Sequence, residues 1–417
     1  MTGNSSRYRG ALLAGTVAGV IAFASAAAAQ QPQPLPPGSP LIGRPDTAEA
    51  QKLAPVAPPP LPAAADKLPG VLSQLKLPKG FNIEVYAGGM ANARSLRQGD
   101  KGTVFAGSRL VDKVYAITDK DGKHEAKVLV SGLYRPNGLA IHNGTLYIAE
   151  LSKISKIENV EANLDNPKLV PVYDDLPKDE AHGWKFIAIG PDNKLYVPVG
   201  QPCNNCIPDD RHGQIRRMNL DGTGVEVIAR GVRNTVGFDW RPGTNQLYFT
   251  DNGRDWASED VPEDELNRVT KVGEHFGSPY CYQGDFPDPE FGWGHSCSDY
   301  TPPVAKMGPH SASLGMRFYT GKMFPKEYQD VIFVARHGSW NRSKKFGGDI
   351  AVVKLNKDGT VKSVTPFLTG FIQNNNYIGR PVDVLVAKDG SLLVSDDWNG
   401  AVYRITYGKP PKLAGVQ

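Results

Sequence analysis

GPDNKLYVPVG, residues 190–200, opens on a polar turn of Gly, Asp and Asn and runs into β-branched and aromatic residues before ending on glycine. Five other stretches share that grammar: GDKGTVFAGS from residue 99, HNGTLYIAE from 142, RPGTNQLYFTDNG from 241, KEYQDVIFVARHG from 326 and KDGSLLVSDD from 388. Each reads as a turn feeding a strand whose apolar–polar alternation predicts half-burial between sheets. Successive copies begin 43 to 85 residues apart, the irregular spacing that four-stranded repeats with variable insertions produce. The expectation is an all-β fold, a six-bladed β-propeller of four-stranded antiparallel sheets over residues 71–410.

Composition agrees. The 417 residues are 40% hydrophobic and 22% charged, and 45 Gly with 34 Pro favour a turn-rich β chain. The 47 basic and 43 acidic residues are interspersed, for a net charge of +4, which excludes nucleic acid as an expected partner. Residues 1–29 carry Arg7 and Arg9 ahead of an Ala/Leu/Val run that ends on Ala27-Ala28-Ala29, an export signal. An uncleaved anchor is the rival reading. Residues 30–70 are Pro/Ala-rich and read as an extended linker with too little apolar surface to pack. The mature chain is expected to be periplasmic or secreted, without stable membrane insertion.

Cysteines in an exported chain favour disulfides. Cys203-x-x-Cys206 is followed by Ile207 rather than the histidine of c-type haem attachment. The wide second spacing favours two local bridges, Cys203–Cys206 and Cys281–Cys297, over a four-cysteine zinc site.

Propeller sites lie at the axis, where the first strand of each blade enters. The residues ahead of each repeat are ARSL from 93, RPNGLAI from 135, AHGWKFI from 181, RGVRNTVGF from 230, PHSASLGM from 309 and IGRPVDVL from 378. They bring Arg94, Asn137, His182, Arg233, Asn234, His310 and Arg380 toward one centre. Converging guanidinium groups beside an imidazole suit a polyanionic ligand, although any one of these arginines alone reads equally well as a rim ion pair.

Four stretches then carry a resemblance in register: HGWKFIAIGPDNKLYVPVG, GVRNTVGFDW, DELNRVTKVGEHFGSPYC and GRPVDVLVAKDGSLLVSDD. The chain resembles the soluble pyrroloquinoline quinone (PQQ)-dependent glucose/sorbosone dehydrogenases, and VPVGQPCNNC with RHGSWNRS resembles the sorbosone branch. The resemblance implies oxidation of an aldose or aldehyde sugar, with electrons passed to cytochrome c or a quinone. It implies His182 as the base that takes the hydroxyl proton, and Arg233 with Asn234 as donors to the quinone oxygens. Arg380, Arg342 and Arg94 would be the cations for the cofactor's carboxylates. It also implies a calcium ion on the carbonyls of Gly253 and Arg254 in TDNGRD, a hard cation that accepts loose oxygen geometry.

The chain departs from that pattern at Gln201, where glucose-oxidising members have an acidic residue beside the histidine's strand. It departs again at Arg254 in place of proline, and at Val382 where some members carry a second arginine. Lys344 and Lys345 read as solvated, and RDWASEDVPEDELN as a solvated loop whose end begins a strand, against a second calcium cluster. Tyr280, Tyr282, Trp293 and Trp340 are either a sugar-stacking platform or loop anchors. A calcium-dependent propeller lactonase and a non-catalytic carbohydrate-binding propeller are the competing functions.

Overall fold

A computed structural model describes residues 53–408; the expected signal at 1–29 and the linker as far as residue 52 lie outside the described residues. Six antiparallel four-stranded sheets follow one another around a ring. The first blade pairs Ala93–Gln98, Val104–Ser108, Val114–Lys120 and Lys123–Val130 in order from the axis outward. Blades 2 to 5 repeat the meander, and blade 3 gains a fifth, parallel strand, Glu274–His275, on its outer edge. Blade 6 takes its inner three strands from the C-terminal end (Pro381–Val386, Leu392–Asp396, Ala401–Tyr407) and its outer strand, Phe81–Ala87, from the N-terminal side. Pairing Phe81 with Tyr407 and Ile83 with Ile405 closes the ring and leaves no open join.

Burial explains why the ring must close. Six apolar clusters occupy the six seams between adjacent blades, such as Phe105, Leu139 and Ile148 between blades 1 and 2. Another is Leu96, Ala106, Leu393 and Val402 between blades 6 and 1. A seventh, of Val236, Leu314 and Val382 with Trp184 against it, sits near the axis.

The repeated segments are the second strands of the blades. Leu195–Val199, Leu247–Asp251 and Val331–Arg336 are buried at every position rather than half-buried as expected. Both faces of an inner strand are covered by neighbouring blades, so exposed positions are left to outer strands such as Lys123–Val130.

The acidic ends of these second strands have a structural task. Asp251 accepts from the backbone N–H of Arg233 and of Asn234, each at 2.8 Å. Asp396 accepts from Arg380 N–H at 2.9 Å, and Glu150 from Tyr134 N–H at 2.6 Å. In blades 2, 4 and 6 the carboxylate thereby fixes the loop that leads into the first strand, and with it the side chains facing the axis.

The linker expectation is corrected for residues 53–70. Ala63 N–H donates to Asn399 O at 2.8 Å, Leu68 is buried, and residues 65–72 form short helical turns against blades 5 and 6. Its few apolar residues suffice because the seam between those blades supplies the partners. No helix among the described residues is long and apolar enough to cross a membrane.

Candidate active site

A pocket of about 300 Å³ opens at the end of the ring where the first strands begin, within the size range of small-ligand sites. Its walls include Arg94, His182, Arg233, Asn234, Gly253, His310 and Arg380, so the structure brings these sequence-derived candidates together.

His182 has φ 48°, a left-handed backbone conformation costly for a residue with a Cβ. The turn is held where Gly200 passes beneath it: a Cβ on Gly200 would lie 2.6 Å from His182 Cβ and 3.0 Å from Arg233 O. His182 Nδ1 is 2.9 Å from the main-chain oxygen of Gln201. A carbonyl oxygen only accepts, so Nδ1 carries the proton and the lone pair of the neutral ring is on Nε2. The group that orients the ring is therefore the Gln201 main chain. The Gln201 side chain turns away to donate to Ser278 Oγ at 2.9 Å. Burial, reinforced by the nearby Arg233 guanidinium, holds the His182 imidazole well below its usual range, leaving it neutral and able to accept a proton at neutral pH.

Arg233 is fixed by four acceptors, one of them Asn252 O, 3.1 Å from its Nη1. Its Nε and Nη2 donate to Asn204 O and Oδ1 at 2.6 and 2.8 Å, and Nη2 lies 3.1 Å from Asp255. Arg94 pairs with Asp397 at 2.6 Å and donates to Asn137 Oδ1 at 2.7 Å. Arg380 donates to the carbonyls of His337, Gly338 and Val56 at 3.1, 2.7 and 2.8 Å. Pro55 and Val56, from the segment expected to be linker, thus form part of the pocket wall. His310 Nε2 meets Ser258 O at 2.7 Å, and burial lowers its pKa.

Arg342 is not in the pocket wall. Its guanidinium holds the Glu259 carbonyl and the Asp260 carboxylate, the latter at 2.8 Å, because the acidic loop 254–263 folds across blade 5. Lys344 and Lys345 also lie outside it. The end of that stretch does begin a strand, Glu263–Arg268; its reading as solvated is corrected at Asp255, which lines the pocket.

The calcium expectation names the main-chain carbonyls of Gly253 and Arg254. Gly253 lines the pocket and its N–H donates to Asp264 Oδ1 at 3.1 Å, whereas the Arg254 side chain leaves to pair with Asp288 at 2.9 Å and Glu290 at 3.2 Å. Asp264 also lines the pocket, and burial pushes its carboxyl up to about 7, an environment in which a hard cation would favour the ionised form. Both Asp264 oxygens already accept, from Gly253 N–H and from Ser311 and Ser313, and no three His, Cys, Asp or Glu among the described residues cluster to hold a metal, so a cation here would rest chiefly on main-chain carbonyls. Of the four aromatics, only Trp340 reaches the pocket; Tyr282 is buried with its hydroxyl 2.6 Å from Asn205 Oδ1, Tyr280 stacks on His295 at 3.8 Å, and Trp293 is exposed.

Sequence reading missed Arg109, Trp184 and His337, all in the wall, and Asp397 behind it. His337 and Asp397 lie inside quoted motifs, RHGSWNRS and KDGSLLVSDD. Arg109 had no such signal, since it follows a second strand instead of preceding a first. Both expected disulfides, Cys203–Cys206 and Cys281–Cys297, are present.

The sequence pattern of the glucose/sorbosone dehydrogenases matches residues 149–404. An uncharacterized protein of Borreliella burgdorferi is 32% identical over 356 residues, spanning 81% of this chain and 92% of that relative. Among solved structures, the calcium structure of a Trichoderma reesei carbohydrate-active enzyme of family AA12 superposes with a TM-score of 0.70 at 19% identity, over 86% of this chain and 99% of that one. The holo PQQ domain of Coprinopsis cinerea pyranose dehydrogenase gives 0.66 at 19% identity, over 80% and 97%. The PQQ-bound aldose sugar dehydrogenase of Streptomyces coelicolor gives 0.58 at 19% identity, over 79% and 99%. At such identities these structures share the propeller fold, and the sequence match carries the kinship: the chain belongs to the glucose/sorbosone dehydrogenase family.

Proposed function

We propose that this protein is an exported quinoprotein that oxidises an aldose or a sorbosone-like aldehyde sugar, with PQQ and calcium in the axial pocket and a cytochrome or quinone as electron acceptor. The observation that carries the reading is His182, a buried neutral imidazole with Nδ1 committed to Gln201 O and Nε2 without a protein partner among the described residues, on the wall shared with Arg233, Asn234 and Arg380.

The chain's own contributions follow from that geometry. His182 Nε2 takes the proton from the hydroxyl on the carbon being oxidised. PQQ, when bound, supplies the acceptor for the hydride leaving that carbon. Arg233, held rigid by Asn204 and Asp255, presents a fixed positive charge where negative charge grows, and Asn234 adds a neutral donor beside it. Arg380 and Arg94 hold carboxylates, and Gly253 with Asp264 forms the corner for calcium. The lactonase alternative needs several carboxylates on a metal at the blade entrances, where this chain has His and Arg. Residues 1–29 as a cleaved signal and residues 30–52 as a spacer complete the proposal.

The test is reconstitution. Cofactor-free protein given PQQ and calcium should reduce a dye with a panel of aldoses and aldehyde sugars, and His182→Ala should abolish it. A calcium-dependent hydrolase or a binding module would reduce no dye with or without PQQ.

A further inference from the structure

We propose that Arg109 is the cation that, beside Arg380, takes a carboxylate of the bound cofactor, replacing from blade 1 the second arginine that position 382 lacks. The inference deepens the quinoprotein reading and rests on it.

Four arginines line the pocket, and three are already engaged. Arg94 is paired with Asp397 and Arg233 with Asp255, while Arg380 holds three carbonyls. The Arg109 guanidinium makes no hydrogen bond or ion pair with any described residue, and its Nε is enclosed with no partner. An unmet charged donor is costly, and because Arg109 lines the pocket its unpartnered guanidinium is where an acceptor from outside the chain would meet it.

The group is nonetheless held in place. Asn92 Oδ1 accepts from the backbone N–H of Arg109 and Leu110 at 2.8 and 2.7 Å, fixing the turn. The guanidinium lies 3.6 Å from the centre of the Trp184 ring, so stacking orients it while every N–H stays free. Trp184 in turn packs against Val236, Leu314 and Val382. Val382 thus belongs to the apolar cluster that supports the stacked ring.

The electrostatic surroundings demand an anion. Arg109 feels the positive charges of Arg94, Arg135 and Arg380, and the one carboxylate acting on it, Asp397, already accepts from Arg94 and His337. Burial among these cations lowers the Arg109 pKa from its usual 12.5 to about 9. A carboxylate matches the planar fork in two parallel hydrogen bonds. Its adjacency to Arg380 and Arg94, the cations already assigned to the cofactor, selects the quinone's carboxylate over one on a sugar acid.

The experiment is a binding titration without turnover. Cofactor-free wild type and Arg109→Gln are titrated with PQQ in calcium by calorimetry and tryptophan fluorescence, with Lys127→Gln as a distant charge control. Arg109→Gln should weaken binding about ten- to a hundred-fold, the range of one charge-assisted hydrogen-bonded pair. Arg109→Lys should recover only part, lacking both fork and stack. With the trimethyl ester of PQQ, wild type and Arg109→Gln should bind alike, which a merely structural role for Arg109 would not produce. Should Arg109→Gln melt early, Arg109→Met keeps the bulk over Trp184 and carries the same expectation. Equal PQQ affinity in the charge-removing variants and wild type overturns the proposal. So does unchanged PQQ affinity with a raised KM for a uronic acid against its neutral aldose, which would give the carboxylate to the substrate. Failure of wild type to bind PQQ at all would instead sink the quinoprotein reading.

Discussion

Asn204 accepts both the Nε and an Nη proton of Arg233, through its main-chain and side-chain oxygens at 2.6 and 2.8 Å. Asn204 sits between the two cysteines of the Cys203–Cys206 bridge, and its neighbour Asn205 accepts from Tyr282 and donates to Asp288. The loop closed by this bridge therefore orients an arginine of the axial pocket. Asn204→Ala is expected to lower kcat/KM about tenfold, through a misaligned Arg233, while the melting temperature hardly moves. Cys203→Ser/Cys206→Ser should act in the same direction, and steady-state kinetics on both variants checks the coupling.

His182 makes a pH signature. Its pKa is depressed in the folded state, so the folded protein binds fewer protons than the unfolded chain below about 6.5. Stability is then full above that pH and falls as pH drops, with buried His310 adding in the same sense. Buried Asp264 and Glu265, pushed up to about 7 and about 8, act in the opposite sense, so the His182 share is read as a difference: between pH 7 and 5 the melting temperature of cofactor-free wild type should fall relative to that of His182→Gln. In turnover, the acidic limb of kcat/KM should lie well below 6.5, and His182→Gln should cost about a hundred- to ten-thousand-fold.

Gly200 is a packing requirement. An added Cβ meets His182 Cβ at 2.6 Å and backbone oxygens of His182 and Arg233 at 2.9 and 3.0 Å, and backbone atoms cannot swing aside. Gly200→Ala should destabilise by about 1–3 kcal/mol in urea unfolding and depress activity more than stability. A variant with wild-type activity would show that the His182 position tolerates displacement.

Asp397 joins two elements at the axis, accepting from Arg94 at 2.6 Å and His337 at 2.9 Å with its carboxylate fully buried. Asp397→Asn leaves Arg94 buried without its counter-charge and should cost about 3–5 kcal/mol. The equally short Lys127–Asp165 pair, with Asp165 at 96% exposure, is the contrast, and Asp165→Asn should leave the urea midpoint where it is.

The fold was legible because its signal is local. A turn of Gly, Asn or Asp followed by a buried strand repeats six times, and backbone geometry reads that pattern within about ten residues. The same repeats gave the axial positions, so Arg94, Asn137, His182, Arg233, Asn234, His310 and Arg380 could be picked out by their offset alone. Arg342 came from the family resemblance and not from that offset, and the acidic loop crossing blade 5 holds it away from the pocket.

By itself, then, the sequence determined the architecture and which blade entrances carry cations and an imidazole, since these depend on short-range periodicity. Only the tertiary structure decided which of those charges are already neutralised, that a main-chain carbonyl at Gln201 sets the His182 tautomer, and that Arg109 and Val56 reach the same pocket. Those relations join residues up to 324 positions apart. They exist because closing the ring buries six seams at once, and no local pattern encodes which groups that closure brings face to face.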